Sequence, residues 1–526
     1  MSANTRADVP GTAASSPPGP GPTGATPAGA RSRPRGPALR TAALASAAFV
    51  VATLLRLVGL GRAQDIFGDE VYYRAIGNSV ASGGFPYFPG DGGELFFLHP
   101  PGYFYLEAGW QRLFGYRPDI VAGIYQMRSL NAVLAGATAA VLVVLVARLR
   151  SRYAAAAIAA LFALDPFVLR VNDRVLLETA TMFWVLLGYL VLIGLTRRPL
   201  PARPGARALA GGLLLGLAVL TKDEAALMTT VPVLVAMVLG WGPPRRLLAW
   251  AAAASLLPYT VYVVVVAANG HLVDLVNTKT VGVQRLLGLV QETGFNAPRA
   301  PSLWSRLGHQ ASTFGVTYLL LAVGAVALYR LLRRGDQARR LLALLHASAA
   351  VTLVYALLFG TLEEQALYLL LVPTMISVVL AAPVVRRPVT RAAVAALVAL
   401  TLALGLSGAA YATGRITPDD GYSELRAYMA AHVPARAAVA TVGGDSDLIL
   451  TDRYRVGAWV TPAQRAAAQA RYAVVFPQAV EHGYSTATPD QARALMREGR
   501  LLYVFHGRSY GTIALYELPL PGSAGG

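Results

Sequence analysis

The segment Gly68-Asp69-Glu70-Val71-Tyr72-Tyr73 sets two adjacent carboxylates shortly after the first long apolar run of the chain. A carboxylate at a membrane surface can take the proton from a hydroxyl group as that oxygen forms a new bond. The role needs the ionised form and hydrogen-bond reach. The same pair would equally suit the first turn of a helix, where acidic side chains meet the positive end of the dipole. Neighbouring residues on a helix point in different directions, so one of the two would act as base while the other orients or binds.

Further charged groups stand beside apolar runs. His99-Pro100-Pro101 closes the stretch that follows, and its imidazole could donate to a phosphate or remain an ordinary interfacial side chain. Arg128 lies inside an apolar segment, where a guanidinium needs an acidic partner or a route to the interface. Arg174 precedes Glu178 by four residues, which suits either an intrahelical ion pair or contact with a lipid phosphate. In Lys222-Asp223-Glu224 a lysine offers a point charge to an anionic headgroup, or pairs with its own acidic neighbours. Glu363 and Glu364 precede another apolar run and could cap a helix or bind hydroxyls or a cation. Asp69 and Glu70 are thus the catalytic candidates. His99, Arg128, Arg174, Lys222, Glu363 and Glu364 are the candidates for phosphate or substrate binding. No HExxH spacing points to a zinc hydrolase. A divalent cation is compatible with the carboxylates, but no metal-ligand set stands out.

The elements that must position these groups follow from composition. Of 526 residues, 55% are hydrophobic and only 14% charged, against about 25% charged in a soluble protein. The mean hydropathy is +0.49. The formal charge is +18, from 46 Lys+Arg against 28 Asp+Glu. The arginines cluster between apolar runs rather than on a soluble basic face, which argues against nucleic acid as partner. The absence of cysteine excludes disulfides, thiolate metal sites and cysteine nucleophiles.

Residues 1–40 are rich in Pro, Gly, Ala, Ser and Thr and read as a disordered cytoplasmic tail. Residues 41–411 read as a polytopic α-helical membrane domain of about eleven transmembrane helices. Its apolar runs fall at 41–60, 121–147, 153–169, 175–195, 208–221, 225–240, 248–268, 312–330, 341–360, 366–385 and 392–411. With the N-terminus inside, each dense arginine cluster falls on the inner side, as the positive-inside rule requires. The count is then odd, and the loops at about 61–119 and 269–311 lie outside. Residues 412–526 read as a small extracytoplasmic α/β domain, with strands at 438–442, 473–476, 501–505 and 512–518 and helices at 420–432 and 489–498. Its Gly443-Gly444-Asp445 turn lacks a full GxGxxG or P-loop pattern. The Ala, Gly, Arg and Pro usage suggests a GC-rich bacterial genome, so the expected location is a bacterial plasma membrane.

One polar face against an apolar wall suits a substrate with a lipid tail, a phosphate and a polar head. At these residues the chain resembles the GT-C glycosyltransferases, specifically the protein O-mannosyltransferase and aminoarabinose transferase superfamily. The likeness covers about 41–411. It rests on Asp69-Glu70, His99-Pro100-Pro101, Arg128 and Gly216-Leu217-Ala218-Val219-Leu220-Thr221-Lys222. The resemblance implies an inverting enzyme that moves a sugar from a polyprenyl-phosphate donor to a cell-envelope glycan, lipid or protein on the outer membrane face. It implies Asp69 as catalytic base or acceptor-orienting carboxylate. His99 stands where many relatives carry a lysine associated with the donor phosphate. Leu98 stands where some lipid A-modifying relatives have a metal-binding glutamate. Two other readings remain: a secondary transporter, for which no inverted repeat is visible, and another lipid-linked-glycan polymerase or ligase.

Overall fold

A computed structural model describes residues 36–61, 66–87, 94–287, 289, 301–359, 364–382, 391–443, 446–481, 485, 487–508 and 511–519. The 1–35 part of the expected tail lies outside these, as do Gly444 and Asp445 of the glycine turn. Helix α1 already begins at Gly36 and runs to Leu57. Two shorter helices follow, α2 (Gly68–Ala81) and α3 (Gly102–Phe114). The long α4 (Ile120–Leu149) starts at Asp119, whose carboxylate accepts from the Ala122 amide as an N-cap.

The apolar run 153–169 is not one straight span. It is α5 (Arg152–Leu164) and α6 (Pro166–Asn172), bent by 63°. Pro166 has no amide hydrogen for the Phe162 carbonyl one turn back. The Arg56 guanidinium donates to that carbonyl instead, at 3.2 Å. Asp165 then caps α6, accepting from the amides of Phe167 and Val168 at 3.0 Å each.

Next come α7 (Leu177–Gly194) and α8 (Pro204–Thr221). The chain turns at Lys222 into a 3-10 turn (Asp223–Met228) and the 10-residue α9 (Thr230–Leu239). Helices α10 (Arg245–Ala268), α11 (Leu272–Leu286), α12 (Leu303–Thr313), α13 (Gly315–Arg334), α14 (Gln337–Phe359), α15 (Glu364–Ala381) and α16 (Arg391–Ile416) complete the helical part.

Among the described residues, six helices are long and apolar enough to cross a membrane, or up to seven if the bent α5–α6 pair counts as one span. This corrects the prediction of about eleven transmembrane helices. Ten residues of α9 rise about 15 Å, half of a ~30 Å hydrocarbon core. The described apolar part of α15, Gln365–Ala381, is also short and contains Pro373. Apolar runs in the sequence thus include broken and partial crossings. The parity argument for the side of the C-terminus falls with the count. The chain is a multi-pass membrane protein.

Small residues set the closest helix contacts, as expected where lipid is as apolar as the helix face. A Cβ on Gly212 of α8 would stand 2.2 Å from the Ala251 carbonyl oxygen of α10, and one on Gly216 would stand 2.6 Å from that of Ser255. A hydroxyl pair, Thr230–Ser255 at 2.9 Å, joins α9 to α10.

After α16, which runs past the predicted boundary at 411, comes α17 (Gly421–His432). The β-rich part comprises β1 (Ala438–Val442), α18 (Ser446–Leu450), β2 (Arg455–Gly457), α19 (Pro462–Ala468), β3 (Tyr472–Val475), α20 (Pro477–Glu481), α21 (Pro489–Glu498), β4 (Arg500–Gly507) and β5 (Gly511–Glu517). The sheet order is β2-β1-β3-β5-β4. β1 pairs in parallel with β2 and β3, while β5 is antiparallel to β3 and β4. The inner strands Ala-Val-Ala-Thr-Val and Tyr-Ala-Val-Val are buried throughout, as continuous apolar strands in a covered sheet should be. Thr41–Gly526 form one compact unit. Arg426 of α17 donates to Asp119 at 2.6 Å and to Asp452 at 2.7 Å, tying this part to the start of α4.

The close α8–α10 contact predicts that Gly216→Val lowers the unfolding temperature in detergent, at a cost of about 1–3 kcal/mol for overpacking. Gly109→Ala, where an added Cβ meets nothing within 4 Å, should leave it unchanged or raise it. Differential scanning fluorimetry of both variants checks this.

Candidate active site

Helix α2 begins where Glu70 folds back on the chain. Its Oε2 accepts from the Phe67 amide at 2.9 Å, closing the first turn. The carboxylate is fully buried and meets Arg128 of α4 in a two-pronged ion pair. Arg128 Nε donates to Oε1 and Nη2 to Oε2, both at 2.8 Å. The Val175 amide also donates to Oε1 at 2.8 Å. Arg128 is 1% exposed and gives its remaining Nη1 to the Leu60 carbonyl at 3.1 Å. Burial pushes the Glu70 pKa up, but the charge and bonds of Arg128 outweigh it and hold the carboxyl below its ordinary range.

This knot joins α2, α4 and the α6–α7 loop. The residue before Glu70 is Asp69, and the residue before Val175 is Arg174. Asp69 is half-buried, and its Oδ2 accepts from Gln365 of α15 at 3.1 Å. Arg174 lies with its guanidinium 5.2 Å from the Phe67 ring centre. Its charge is also felt at Glu70. Asn131 extends the knot along α4. Its amide donates to the carbonyls of Arg174 at 2.6 Å and Leu176 at 3.0 Å, while its oxygen accepts from Tyr103 of α3 at 3.0 Å.

Tyr103 leads to a second cluster. Its neighbour Gly102 sits where a Cβ would be 2.6 Å from the Leu220 carbonyl oxygen and 3.0 Å from the Thr221 nitrogen. Only glycine lets the start of α3 lie this close to the end of α8. The contact sets the residue that follows His99-Pro100-Pro101 against the Leu220-Thr221 segment, which leads into Lys222. The His99 ring packs edge-on against Tyr73, with centres 6.0 Å apart, and tilted against Phe96 at the same separation. Lys222 is 6% exposed and donates to Glu178 at 2.6 Å, with Glu224 at 3.5 Å. Lys279 of α11 donates to the Leu98 carbonyl at 2.8 Å and bonds Asp223.

Several sequence expectations therefore change partners. Arg128 has the acidic partner its burial demands, and it is Glu70. Glu178 pairs with Lys222 rather than with Arg174. Asp223, offered as a partner for Lys222, goes to Lys279. Glu363 lies outside the described residues, as does the side chain of Glu364, so neither is placed relative to the knot. Asp69 and Arg174 adjoin the Glu70–Arg128–Val175 knot in sequence, while Lys222 follows the Leu220–Thr221 segment that Gly102 abuts. Sequence reasoning passed over Lys279, Gln365, Asn131 and Tyr103, since each is an ordinary polar residue until the fold sets it against its partner.

Glu107 of α3 is a further buried acid, fully enclosed, with neither oxygen hydrogen-bonded. Burial pushes its pKa well above the ordinary carboxylate range, opposed by the Arg74 charge. Among the described residues no group of three or more His, Cys, Asp or Glu side chains could hold a metal ion. The Leu98 position contributes a carbonyl to Lys279 instead of a carboxylate to a metal.

The comparisons with known proteins bear on the fold. Residues 98–268 match the family model of dolichyl-phosphate-mannose-protein mannosyltransferase. No curated protein matches the chain in sequence. Among solved structures, the archaeal oligosaccharyltransferase AglB from Archaeoglobus fulgidus, in complex with an inhibitory peptide and a dolichol-phosphate, aligns over 91% of this chain and 75% of its own, with 14% identity and a TM-score of 0.58. ArnT from Cupriavidus metallidurans, bound to undecaprenyl phosphate, aligns over 91% of this chain and 98% of its own, with 15% identity and a TM-score of 0.57.

The knot yields a stability prediction. Glu70→Gln leaves Arg128 buried without its counter-charge, at a cost of about 3–5 kcal/mol. The double variant Glu70→Gln/Arg128→Met removes the stranded charge and should recover much of that loss in chemical unfolding. A double variant less stable than the single one would contradict the pairing.

Proposed function

We propose that this chain, which has the fold of the GT-C superfamily of membrane glycosyltransferases, moves a sugar from a polyprenyl-phosphate donor to a hydroxyl-bearing acceptor of the cell envelope. The observation that carries the reading is the Glu70–Arg128–Val175 knot, whose immediate chain neighbours are one carboxylate, Asp69, and one cation, Arg174.

In this reading the acceptor oxygen attacks the anomeric carbon of the sugar, and Asp69 takes the hydroxyl proton. The bond from that carbon to the phosphate oxygen breaks, and polyprenyl phosphate leaves with the bonding pair. Attack from the face opposite the departing phosphate inverts the anomeric centre. Arg174 and His99 offset the charge that grows on the leaving phosphate. Lys222 and Lys279 add positive potential around the Leu98–Gly102 turn, each anchored by a carboxylate. Glu70 and Arg128 act by position: they fix the first turn of α2 and so the direction of Asp69. The carrier chain would lie along the apolar helices.

The inner N-terminus, the outer active face and the outer β-rich C-terminal part belong to this proposal. The link from Arg426 to Asp119 supports a role of that part near the acceptor, because it is anchored at the start of the helix that carries Arg128. Cell-envelope glycan, lipid or protein would each supply the hydroxyl.

Asp69→Asn removes the proton acceptor and keeps its shape. Transfer should fall by about 10²–10⁴-fold, while donor binding stays within about twofold. Product analysis by mass spectrometry, with purified protein and a panel of polyprenyl-phosphate sugars, reads the first; titration in nanodiscs reads the second. Normal turnover by the folded variant would overturn the role of Asp69. Lys222→Ala should weaken donor binding in the same titration. Unchanged affinity would make Lys222 purely the counter-charge of Glu178.

A further inference from the structure

Helix α7 carries Glu178 at its start, in the candidate site. Its 18 residues rise about 27 Å, and just beyond its far end lies a cavity of about 220 Å³. Three connections meet there: the one after α7, the turn between α9 and α10, and the start of α14. Arg197, Arg198 and Arg245 line it, together with Thr196, Gly242 and Gln337.

Internal bonds build this wall. Arg245 donates to the carbonyls of Met237 at 3.1 Å and Val238 at 3.2 Å, closing the end of α9. Arg197 donates to the Arg148 carbonyl at 3.0 Å, which pins the α7–α8 connection to α4. Gln337 accepts from the Gly242 amide at 2.8 Å and holds α14 against the turn. Arg198, exposed on the same wall, has no hydrogen bond or ion pair to another described residue. Asp336, beside Gln337, is already 3.3 Å from Arg339. Three arginines therefore line one concave space with no Asp or Glu among its lining residues. Positive charge gathered on one wall favours an anion, and the planar fork of arginine matches phosphate oxygens in pairs.

We propose that this cavity binds the phosphate headgroup of an anionic phospholipid. Its volume is below the ~300–1,000 Å³ of clefts that enclose a whole drug-sized molecule, which fits a headgroup whose tails remain outside. The surface around the mouth supplies the place for those tails: Val238 is 70% exposed, Leu239 48% and Leu200 41%. A free phosphate would use the arginines but not this apolar rim. The ligand is thus a structural lipid, bound at the end of α7 opposite the site of transfer.

The test uses the full chain, native mass spectrometry and nanodiscs. Phosphatidylglycerol should bind in preference to phosphatidylcholine and raise the unfolding temperature. Arg197→Gln/Arg198→Gln should weaken phosphatidylglycerol binding by about 30-fold, the equivalent of about 2 kcal/mol for two interfacial arginines. Arg333→Gln/Arg334→Gln, which removes two exposed arginines from α13 outside the cavity, should retain it. Equal losses in both variants would mean diffuse attraction to a basic surface and overturn the site. So would equal binding of the two lipids. Inorganic phosphate added to phosphatidylcholine nanodiscs should not reproduce the stabilisation; if it does, the cavity takes a free anion and the lipid assignment fails.

Discussion

A carboxylate and a guanidinium, both withdrawn from water, hold the candidate site together. Taking Glu70 and Arg128 into the protein costs each its hydration, and their attraction offsets that cost only when the geometry is good and every remaining lone pair and proton is used. Here the pair is held by two parallel bonds, two backbone amides on the carboxylate and a carbonyl on Nη1 of the guanidinium. Such a pair adds little net stability over an apolar replacement, but it tolerates no other register of α2 against α4. Its contribution is to fix direction. In the proposed reaction, Glu70 aims Asp69 by holding the first turn of α2 in place.

The same economy recurs further along the chain. At several breaks around the site, freed backbone groups are taken by a distant side chain. Arg56 takes the carbonyl released by Pro166, and its own carbonyl and that of Leu55 accept from Arg415 near the end of α16. Asn131 takes the carbonyls at the α6–α7 loop. In a low-dielectric setting each such group would be costly to leave bare, and polar side chains cross-link these irregular segments of the site. The ends of α3 and α8 meet by a different device, a glycine that removes the side chain altogether.

Much of this was legible in the sequence, and the reasons for the rest are physical. The membrane class follows from charge depletion alone. The strand β1 and the helix α21 fall on their predicted residues because short apolar runs between turn residues leave little latitude. The adjacent carboxylates at 69 and 70 stood out because charge beside hydrocarbon is rare. Which of them would be spent on Arg128 was not visible, since that depends on the angle between α2 and α4. The pairing of Lys222 with Glu178 was hidden for the same reason: a long-range ion pair has no sequence spacing. The span count failed where hydropathy could not register a bend at Asp165-Pro166 or the shortness of α9. β2, three residues long, carries too little pattern to be seen.

The central claim is that Glu70 serves transfer only by holding Asp69. A double-mutant cycle between Asp69→Asn and Glu70→Gln, read as the transfer rate of the folded fraction, tests it most directly. The account predicts that once Asp69 is replaced, adding Glu70→Gln costs almost nothing more, because there is no longer a base to aim. Two losses that multiply independently would contradict it and give Glu70 a part in the reaction of its own.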